Sequence, residues 1–250
     1  MALANNDAEM VYSNDGVNWD NTSLPGAGDF KKISVGGSTG TTVMVAMDNS
    51  NTIYKGTITT DNGSTVAPQN WTSLTGTGIV AGKDVAGLAY GLGRWIILYT
   101  DGYGAYSDNE GTTWTQLNLS TNLDGGGEAF SGLVYGNNAW VASMNQADRL
   151  FYSSGKDNAW FDSNLVGDSG REDYQVAYSQ GAYVVVSSTG TTLTSSNAVT
   201  WTIRGTNQNC NAIVGGVQNN VPTWVATSNT AQATKITGGA TAFIRCEIKA

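Results

Sequence analysis

Side chains that could catalyse a reaction are few in this chain, and one short segment brings three of them together. Arg171, Glu172 and Asp173 are consecutive, in a 250-residue sequence that has five arginines and five glutamates. Hydrolysis of a glycosidic bond uses two carboxylates that converge from different positions, whereas Glu172 and Asp173 are adjacent. The chain has no histidine, which removes the usual general base near neutral pH. We therefore assign no catalytic residue and treat Arg171 and Glu172 as candidates for binding.

The composition predicts a surface of neutral polar groups. Charged residues make up 13% of the chain, the formal net charge is −8, and the longest basic run is Lys31-Lys32. Nucleic acids and anionic membranes bind clustered Lys and Arg, and a bilayer span needs roughly 20 apolar residues. We expect no nucleic-acid partner and no membrane insertion. The N-terminus lacks a basic, apolar leader, which predicts a product made in the cytoplasm.

Several turns are rich in oxygen ligands of the kind that Ca²⁺ prefers. Hydrogen-bonded turn geometry accounts for the same side chains and is the favoured interpretation, so we expect no metal and no cofactor. The aspartates concerned are Asp15, Asp20, Asp61 and Asp157.

Two cysteines, Cys210 and Cys246, are too few for a disulfide framework. A bridge between them is one interpretation. Two buried thiols are favoured, because unpaired cysteine packs as a small apolar residue.

The first half of an internal repeat is a predicted hairpin. Apolar residues, Tyr-Gly, a short turn and then Trp with further apolar residues occur at 88–97 and 133–142, and 176–185 has Ser and Tyr in place of Gly and Trp. Longer versions occupy 33–46 and 213–226. Gly and Asn adopt positive φ in such turns at low cost, and β-branched and aromatic residues favour the flanking strands. Each copy therefore predicts two antiparallel strands.

The second half of the repeat is a turn that ends near a tryptophan, which we call the Ser–Trp turn. Its Ser or Thr and its Asp or Asn bond to nearby backbone N–H groups, a Gly takes the left-handed conformation, and the Trp packs on the neighbouring sheet. The residues predicted to build these turns are Ser13, Asp15, Gly16, Trp19, Asp61, Gly63, Ser107, Asn109, Gly111, Trp114, Ser153, Trp160, Ser195, Asn197 and Trp201.

The spacing of the turn tryptophans indicates the size of the repeat. Trp19, Trp71, Trp114, Trp160 and Trp201 follow one another at intervals of 52, 43, 46 and 41 residues, and a four-stranded propeller blade needs about 40–50 residues. Seven of the eight tryptophans occupy equivalent repeat positions, which indicates packing. Trp71 follows an insertion and is therefore a third candidate for binding.

The Ser–Trp turns resemble the Asp-box, Ser-x-Asp-x-Gly-x-Thr-Trp, of the BNR repeats in sialidases, sortilin-like receptors and related β-propellers. Residues 107–114 fit it except that Asn109 replaces Asp, and 59–65 fit through the Thr. The turns at 13–19 and 195–201 are one residue shorter, while 153–160 keep only the ends and the length. The resemblance implies a β-propeller whose turns lie on outer strands, away from the axis where ligands bind.

Sialidase-like chemistry is not supported by the residues that the resemblance would require. It would need three arginines that clamp a carboxylate, a Tyr–Glu nucleophile pair and an Asp acid/base. Arg94 and Arg149 lie in or beside predicted hairpins, where a structural role is expected, and the Arg-Ile-Pro signature is absent. A glycosidase is therefore the least favoured function.

The predicted fold is an all-β β-propeller of four-stranded antiparallel blades, formed by a single domain over residues 1–250. Five blades are expected, and six is the alternative because 228–250 hold one or two further strands. The chain opens in the second half of a repeat, at 8–20, and closes with a first half, at 212–227. Pairing of these two segments in one blade would close the ring and remove sheet edges.

These observations predict a non-enzymatic structural or binding protein. Low charge, the abundance of Thr, Asn, Gly and Ala, and a resemblance to propellers of phage structural proteins favour a bacteriophage virion component. It would be a capsid decoration or a tail or attachment protein, located in the virion with other virion proteins as partners. The alternative is a lectin-like module that binds a host-surface glycan through repeated pockets, each with an exposed aromatic ring.

Overall fold

The computed structural model describes most of the chain, and all regular structure in the described residues is β-strand. This agrees with the predicted all-β class. The described residues are 2–3, 8–12, 18–25, 30–37, 42–47, 52–58, 60–61, 64–65, 68–74, 78–80, 82–119, 129–145, 149–156, 158–163, 165, 174–206, 209–218, 220–228, 233–237 and 245–249.

The chain divides into two compact units, Met1–Asn118 and Leu119–Ala250. The first unit holds three larger sheets, each antiparallel with its strands in chain order. The N-sheet is β1 (Ala2–Leu3), β2 (Glu9–Tyr12) and β3 (Asp20–Ser23); sheet 1 is β4 (Phe30–Gly36), β5 (Thr42–Met47), β6 (Ile53–Thr57) and β9 (Gln69–Leu74); sheet 2 is β10 (Val85–Gly91), β11 (Arg94–Tyr99), β12 (Tyr103–Ser107) and β13 (Thr115–Asn118). A small hairpin, β7 (Thr60–Asp61) and β8 (Ser64–Thr65), is inserted before β9.

The second unit holds three four-stranded antiparallel sheets, again in chain order. Sheet 3 is β14 (Ala129–Gly136), β15 (Ala139–Asn145), β16 (Leu150–Ser153) and β17 (Phe161–Ser163); sheet 4 is β18 (Tyr174–Ser179), β19 (Ala182–Ser187), β20 (Thr191–Ser195) and β21 (Thr202–Thr206); sheet 5 is β22 (Ala212–Gln218), β23 (Val221–Thr227), β24 (Ala233–Thr237) and β25 (Arg245–Lys249). The single-domain assignment and the number of blades remain predictions.

The predicted inner hairpins are confirmed at the first two strands of the sheets. In sheet 3, Tyr135 is the cross-strand partner of Trp140, with ring centroids 4.8 Å apart. Asn137 and Asn138 form the turn with φ of 43° and 60°, the left-handed conformation that a two-residue hairpin loop requires. The same pairing joins Tyr90 to Trp95 in sheet 2 and Tyr178 to Tyr183 in sheet 4.

The core of each unit lies between successive sheets. In the first unit, Met44 and Ile53 of sheet 1 pack with Trp95, Ile97 and Trp114 of sheet 2. In the second unit, one buried cluster joins sheets 3 and 4 and another joins sheets 4 and 5. Strands of sheet 4 such as β19 are buried along their whole length, which explains their nearly continuous apolar sequence.

The terminal strands pair differently from the prediction. Residues 212–227 form β22 and β23, and their sheet is completed by β24 and β25 from the C-terminal segment. Residues 8–20 contribute β2 and the start of β3 to the N-sheet. The reason is that residues 228–250 supply two strands, which is the larger of the two numbers predicted. The first of them, β24, pairs with the free edge of β23, so β23 needs no strand from the N-terminus.

Cys210 is a buried thiol in the cluster between sheets 4 and 5. Its neighbours there include Trp224 and Ile236, so it packs as the small apolar side chain that was expected. The side chain of Cys246 lies outside the described part.

Candidate functional site

The Ser–Trp turn at 107–114 is held by its own side chains. The Ser107 hydroxyl oxygen accepts the Gly111 N–H at 2.9 Å, and Asn109 Oδ1 accepts the Thr113 N–H at 2.9 Å. Trp114 Nε1 donates to the Gly111 carbonyl at 3.0 Å. Glu110 and Gly111 have φ of 57° and 81°, so the left-handed bend extends over two residues.

The turn at 195–201 uses the same bonds with one residue fewer. Ser195 Oγ accepts the Ala198 N–H at 2.9 Å, Asn197 Oδ1 accepts the Thr200 N–H at 2.9 Å, and Trp201 Nε1 donates to the Ala198 carbonyl at 3.1 Å. Ala198 takes the glycine position with a φ of 66°. A deletion in the motif therefore preserves the Ser, Asn and Trp contacts and places strain at Ala198.

These turns also contact the preceding sheet of their own unit. Asn137 Nδ2, in the inner hairpin of sheet 3, donates to the Ser196 carbonyl at 2.8 Å. Ser163 Oγ, at the end of β17, donates to the Ala198 carbonyl at 2.8 Å. The backbone carbonyls of a Ser–Trp turn thus hold adjacent sheets together, a role that the sequence did not reveal.

The remaining predicted turn residues have different environments. Ser153 is buried and Trp160 is 5% exposed, whereas Trp19 is 51% exposed. Asp61 lies in β7. Ser13, Asp15, Gly16 and Gly63 lie outside the described residues, as do Arg171 and Glu172. Trp71 is half-buried, and its ring packs over Gly56 in a cluster with Met10 and Phe30, so its predicted binding role is not tested.

Three of the five arginines bind within their own sheets. Arg94, almost wholly buried, makes a two-point ion pair with Asp108 at 2.9 and 2.8 Å and stacks on Tyr106. Arg149 pairs with Asp162 at 2.7 Å. Arg204 Nε donates to Thr194 Oγ1 at 2.8 Å. These contacts orient the outer strands, as the structural interpretation of Arg94 and Arg149 predicts.

A cavity of about 370 Å³ lies in the first unit, between the outer strands of sheet 1 and the Ser–Trp turn of sheet 2. We call it the Lys55 groove. Its floor is apolar, because Leu74 and Trp114 belong to the core cluster beneath it. Its lining residues are Lys55, Thr72, Ser73, Leu74, Glu110, Gly111, Thr112 and Trp114.

The charges of the Lys55 groove are separated by the shape of the turn. Lys55 Nζ donates to the Glu110 backbone carbonyl at 2.6 Å. The Glu110 carboxylate instead accepts the Thr42 hydroxyl at 3.3 Å and contacts the Tyr90 hydroxyl. Burial raises the pKa of Tyr90, and the negative charge and hydrogen bond of Glu110 raise it further. The Lys55 ammonium therefore keeps N–H donors for another acceptor.

Strand β9 forms the outer wall of the Lys55 groove. It pairs with β6 on one side and is the last strand of sheet 1. Thr72 lies opposite Lys55 in this pairing and is exposed. Asn70 has a φ of 55° at a register shift, so the regular part of the edge runs from Trp71 to Leu74.

Lys55 and Glu110 were missed at the sequence level. The signal for Glu110 was weak: it occupies a variable position of the Ser–Trp turn, where no particular side chain is needed for the fold. Lys55 lies in a short strand, Ile53–Thr57, whose sequence carries no recognisable binding motif. Their meeting depends on the packing of sheet 2 against sheet 1.

The described residues were also considered as ligands of a metal ion and as a membrane span. No group of three or more His, Cys, Asp and Glu side chains among them is placed to hold a metal ion. No helix in the same residues has the length and apolar character that a bilayer span requires.

Solved structures show what this arrangement of sheets is. A chain described as YCF48 bound to D1 peptide has 14% identity and a TM-score of 0.60, with 94% of this chain and 68% of that chain covered. The fold is a β-propeller. The WD40 repeats of RRP9 give a TM-score of 0.62 at 10% identity over 98% of this chain and 74% of theirs. YCF48 from Cyanidioschyzon merolae gives 0.56 at 14% identity over 96% and 74%.

The sequence itself matches no protein-family model and no curated protein. At 10–14% identity the similar structures share the propeller fold with this chain, and a fold of this kind carries many unrelated functions.

Proposed function

We propose that this chain is a non-catalytic binding propeller that holds a partner protein within a larger assembly. The observation that carries the proposal is the Lys55 groove: an apolar floor, an exposed outer strand and a lysine ammonium with donors to spare lie together within about 370 Å³. This is the composition of a binding pocket, in which apolar contacts supply affinity and a few polar groups fix orientation. One similar structure is a propeller bound to a peptide, which supports a protein segment as the ligand.

The test is photo-cross-linking from the groove. A benzophenone amino acid replaces Thr72, which is exposed beside Lys55, and, as the matched control, Thr202, which is exposed on β21 of sheet 4. In the native host of the protein, irradiation is expected to join one partner protein to the Thr72 variant and not to the Thr202 variant. Equal adducts from both positions, or none from either, would contradict a binding role for the groove.

The finer proposal is that the assembly is a bacteriophage virion, in which this chain is a capsid decoration or a tail or attachment protein. Its support is the low charge of the sequence and the resemblance of its turns to those of phage structural propellers. Peptide mass spectrometry on gradient-purified particles tests it. The chain is expected in fixed stoichiometry with the major capsid or tail proteins, and its absence from particles that infect normally would exclude the proposal.

A second candidate function, glycan binding, is supported by Trp19. Its indole is half exposed beside Tyr12, Asp20 and Asn21 in an open cavity of about 680 Å³, and an aromatic face flanked by polar side chains can stack on a sugar ring and bond its hydroxyls. By contrast, Trp114 and Trp160 are each 5% exposed, so these two turns do not provide the repeated pockets of the lectin prediction. Glycan-array binding that is lost in Trp19→Ala would establish this function, and an unchanged array would remove it.

A further inference from the structure

The outer strand of sheet 1 has little of the protection that proteins usually give to an exposed sheet edge. Proteins protect exposed edges with shortness, charge and proline. Strand β9 has the sequence QNWTSL, with no charged residue and no proline, and its edge is regular over the four residues Trp71–Leu74. The last strands of sheets 2 and 3, β13 and β17, have four and three residues. Strand β21 of sheet 4 has five residues and contains Arg204, whose side chain is exposed.

The open edge and the lysine lie on the same groove. Thr72 of β9 is the cross-strand partner of Lys55, so the two side chains lie on one face of the sheet, above Leu74 and Trp114. Because the Glu110 carboxylate is directed to Thr42 and Tyr90, the positive charge of Lys55 has no carboxylate partner among the described residues. A strand laid along β9 would bring its own side chains to this charge.

We propose that β9 receives an extended segment of the partner protein as an added strand, and that a carboxylate of this segment binds the Lys55 ammonium. The proposal rests on the protein-binding function above and specifies its chemistry. Main-chain hydrogen bonds to the Trp71–Leu74 edge supply affinity, and the alternate side chains of the guest strand supply specificity. An apolar side chain on the face of Lys55 enters the groove over Leu74 and Trp114, next to the carboxylate.

The complementary charges also define the conditions of binding. Lys55 is partly exposed, so its attraction for a carboxylate is screened by salt. Binding is therefore expected to weaken as NaCl is raised from about 50 to 500 mM, while the main-chain hydrogen bonds persist.

The test selects peptides that bind the full chain and then identifies where on the chain they bind. A random dodecapeptide library is panned on the full chain, and the enriched peptides are synthesised and titrated calorimetrically. We expect them to share an Asp or Glu next to a β-branched or aromatic residue. Lys55→Gln is expected to weaken binding about tenfold or more, the scale of a charge-assisted hydrogen bond. The matched change Lys83→Gln, at an exposed lysine paired with Asp101, is expected to leave it unchanged.

Two further measurements make the result specific. Replacing the peptide carboxylate by its amide is expected to cause the same loss in the wild-type chain and no added loss in Lys55→Gln. Amide hydrogen exchange is expected to slow at residues 71–74 when peptide is bound. Folding of each variant is checked by its thermal midpoint.

Three outcomes would overturn the proposal. If the enriched peptides lack an acidic residue and bind Lys55→Gln as tightly as the wild type, the carboxylate contact is excluded. If exchange slows elsewhere than at residues 71–74, strand addition to β9 is excluded. If no peptide of the library binds, both the carboxylate contact and strand addition are excluded. In the first two cases a peptide still binds, and the protein-binding function stands or falls on the Thr72 cross-link alone.

Discussion

The ring of Tyr178 lies over the Cα of Gly136 so closely that no β-carbon would fit between them. Gly136 ends the first strand of sheet 3, and Tyr178 occupies the equivalent Tyr position of sheet 4. Gly36 and Tyr90 repeat this relationship between sheets 1 and 2. The glycine that ends the first strand of sheets 1 and 3 is therefore needed for close approach of the next sheet, in addition to any need of the turn.

Gly136→Ala is accordingly expected to lower the free energy of unfolding by about 1–3 kcal/mol, the range for overpacking a tight core. Urea unfolding monitored by tryptophan fluorescence measures it. Gly216→Ala in β22 is the matched control, because a β-carbon there would meet no atom within 4 Å. An equal loss of stability in both variants would point to a general backbone effect of replacing glycine. It would contradict the role of the close contact with Tyr178.

Because the Ser hydroxyl holds the Ser–Trp turn, we expect replacement of Ser195 to destabilise the fold much more than replacement of its neighbour Ser196. Ser195 is buried, and its oxygen accepts the N–H groups of Asn197 and Ala198, while Ser196 is exposed. Ser195→Ala leaves the buried N–H of Ala198 without its acceptor, which costs about 1–3 kcal/mol. Ser196→Ala is expected to change stability by less than about 0.5 kcal/mol. Thermal and urea unfolding of both variants decides it, and equal small losses would show that the turn does not depend on this hydroxyl.

The sequence predicted more of the fold than of the site. Strand pairs and turns follow from local rules, because Asn137-Asn138 can form a left-handed turn and the flanking Tyr135 and Trp140 suit paired strands. The inner hairpins and the four-stranded sheets were therefore predictable. The pairing of the termini was not, since it depends on whether the C-terminal residues supply their own strands.

The Lys55 groove could not have been found in the same way. Lys55 and Glu110 are separated by 55 residues, and what joins them is the contact of two sheets. Nothing in the sequence indicates that the Glu110 carboxylate binds Thr42 and Tyr90 and not Lys55. The direction of the Glu110 side chain depends on the positive φ of this residue. The periodicity of apolar residues in the sequence does not predict such a direction.

Tyr183 predicts a loss of stability in alkali. Its hydroxyl donates to the Gly136 carbonyl and, at 3.1 Å, to the Ala139 carbonyl. Burial, and secondarily the nearby phenols of Tyr178 and Tyr135, raise the pKa of Tyr183 well above its ordinary value of 10.0. Above about pH 10 the unfolded chain releases this proton and the folded chain keeps it, so the stability contributed by the neutral phenol is present below pH 10 and declines as pH rises, by at most about 1.4 kcal/mol per pH unit.

Tyr183→Phe removes this dependence. The variant is expected to be about 1 kcal/mol less stable at pH 7, because two buried carbonyls lose a donor, and to lose less stability than the wild type between pH 10 and 11.5. Urea unfolding at both pH values provides an internal comparison. Parallel pH curves for the two proteins would show that Tyr183 does not titrate differently in the folded state.

Trp114 and Trp95 are buried in one cluster, but their indole N–H groups have different environments. Trp114 Nε1 donates to the Gly111 carbonyl, whereas Trp95 Nε1 is buried and has no partner among the described residues. Trp→Phe removes the same atoms at both positions, but at 114 it also removes a hydrogen bond that closes the turn, and at 95 it removes an unsatisfied donor. Trp114→Phe is therefore expected to cost about 1–3 kcal/mol more than Trp95→Phe, measured by urea unfolding. A larger loss at Trp95 would mean that its ring contacts with Tyr90, and not the indole hydrogen bond, dominate the stability of sheet 2.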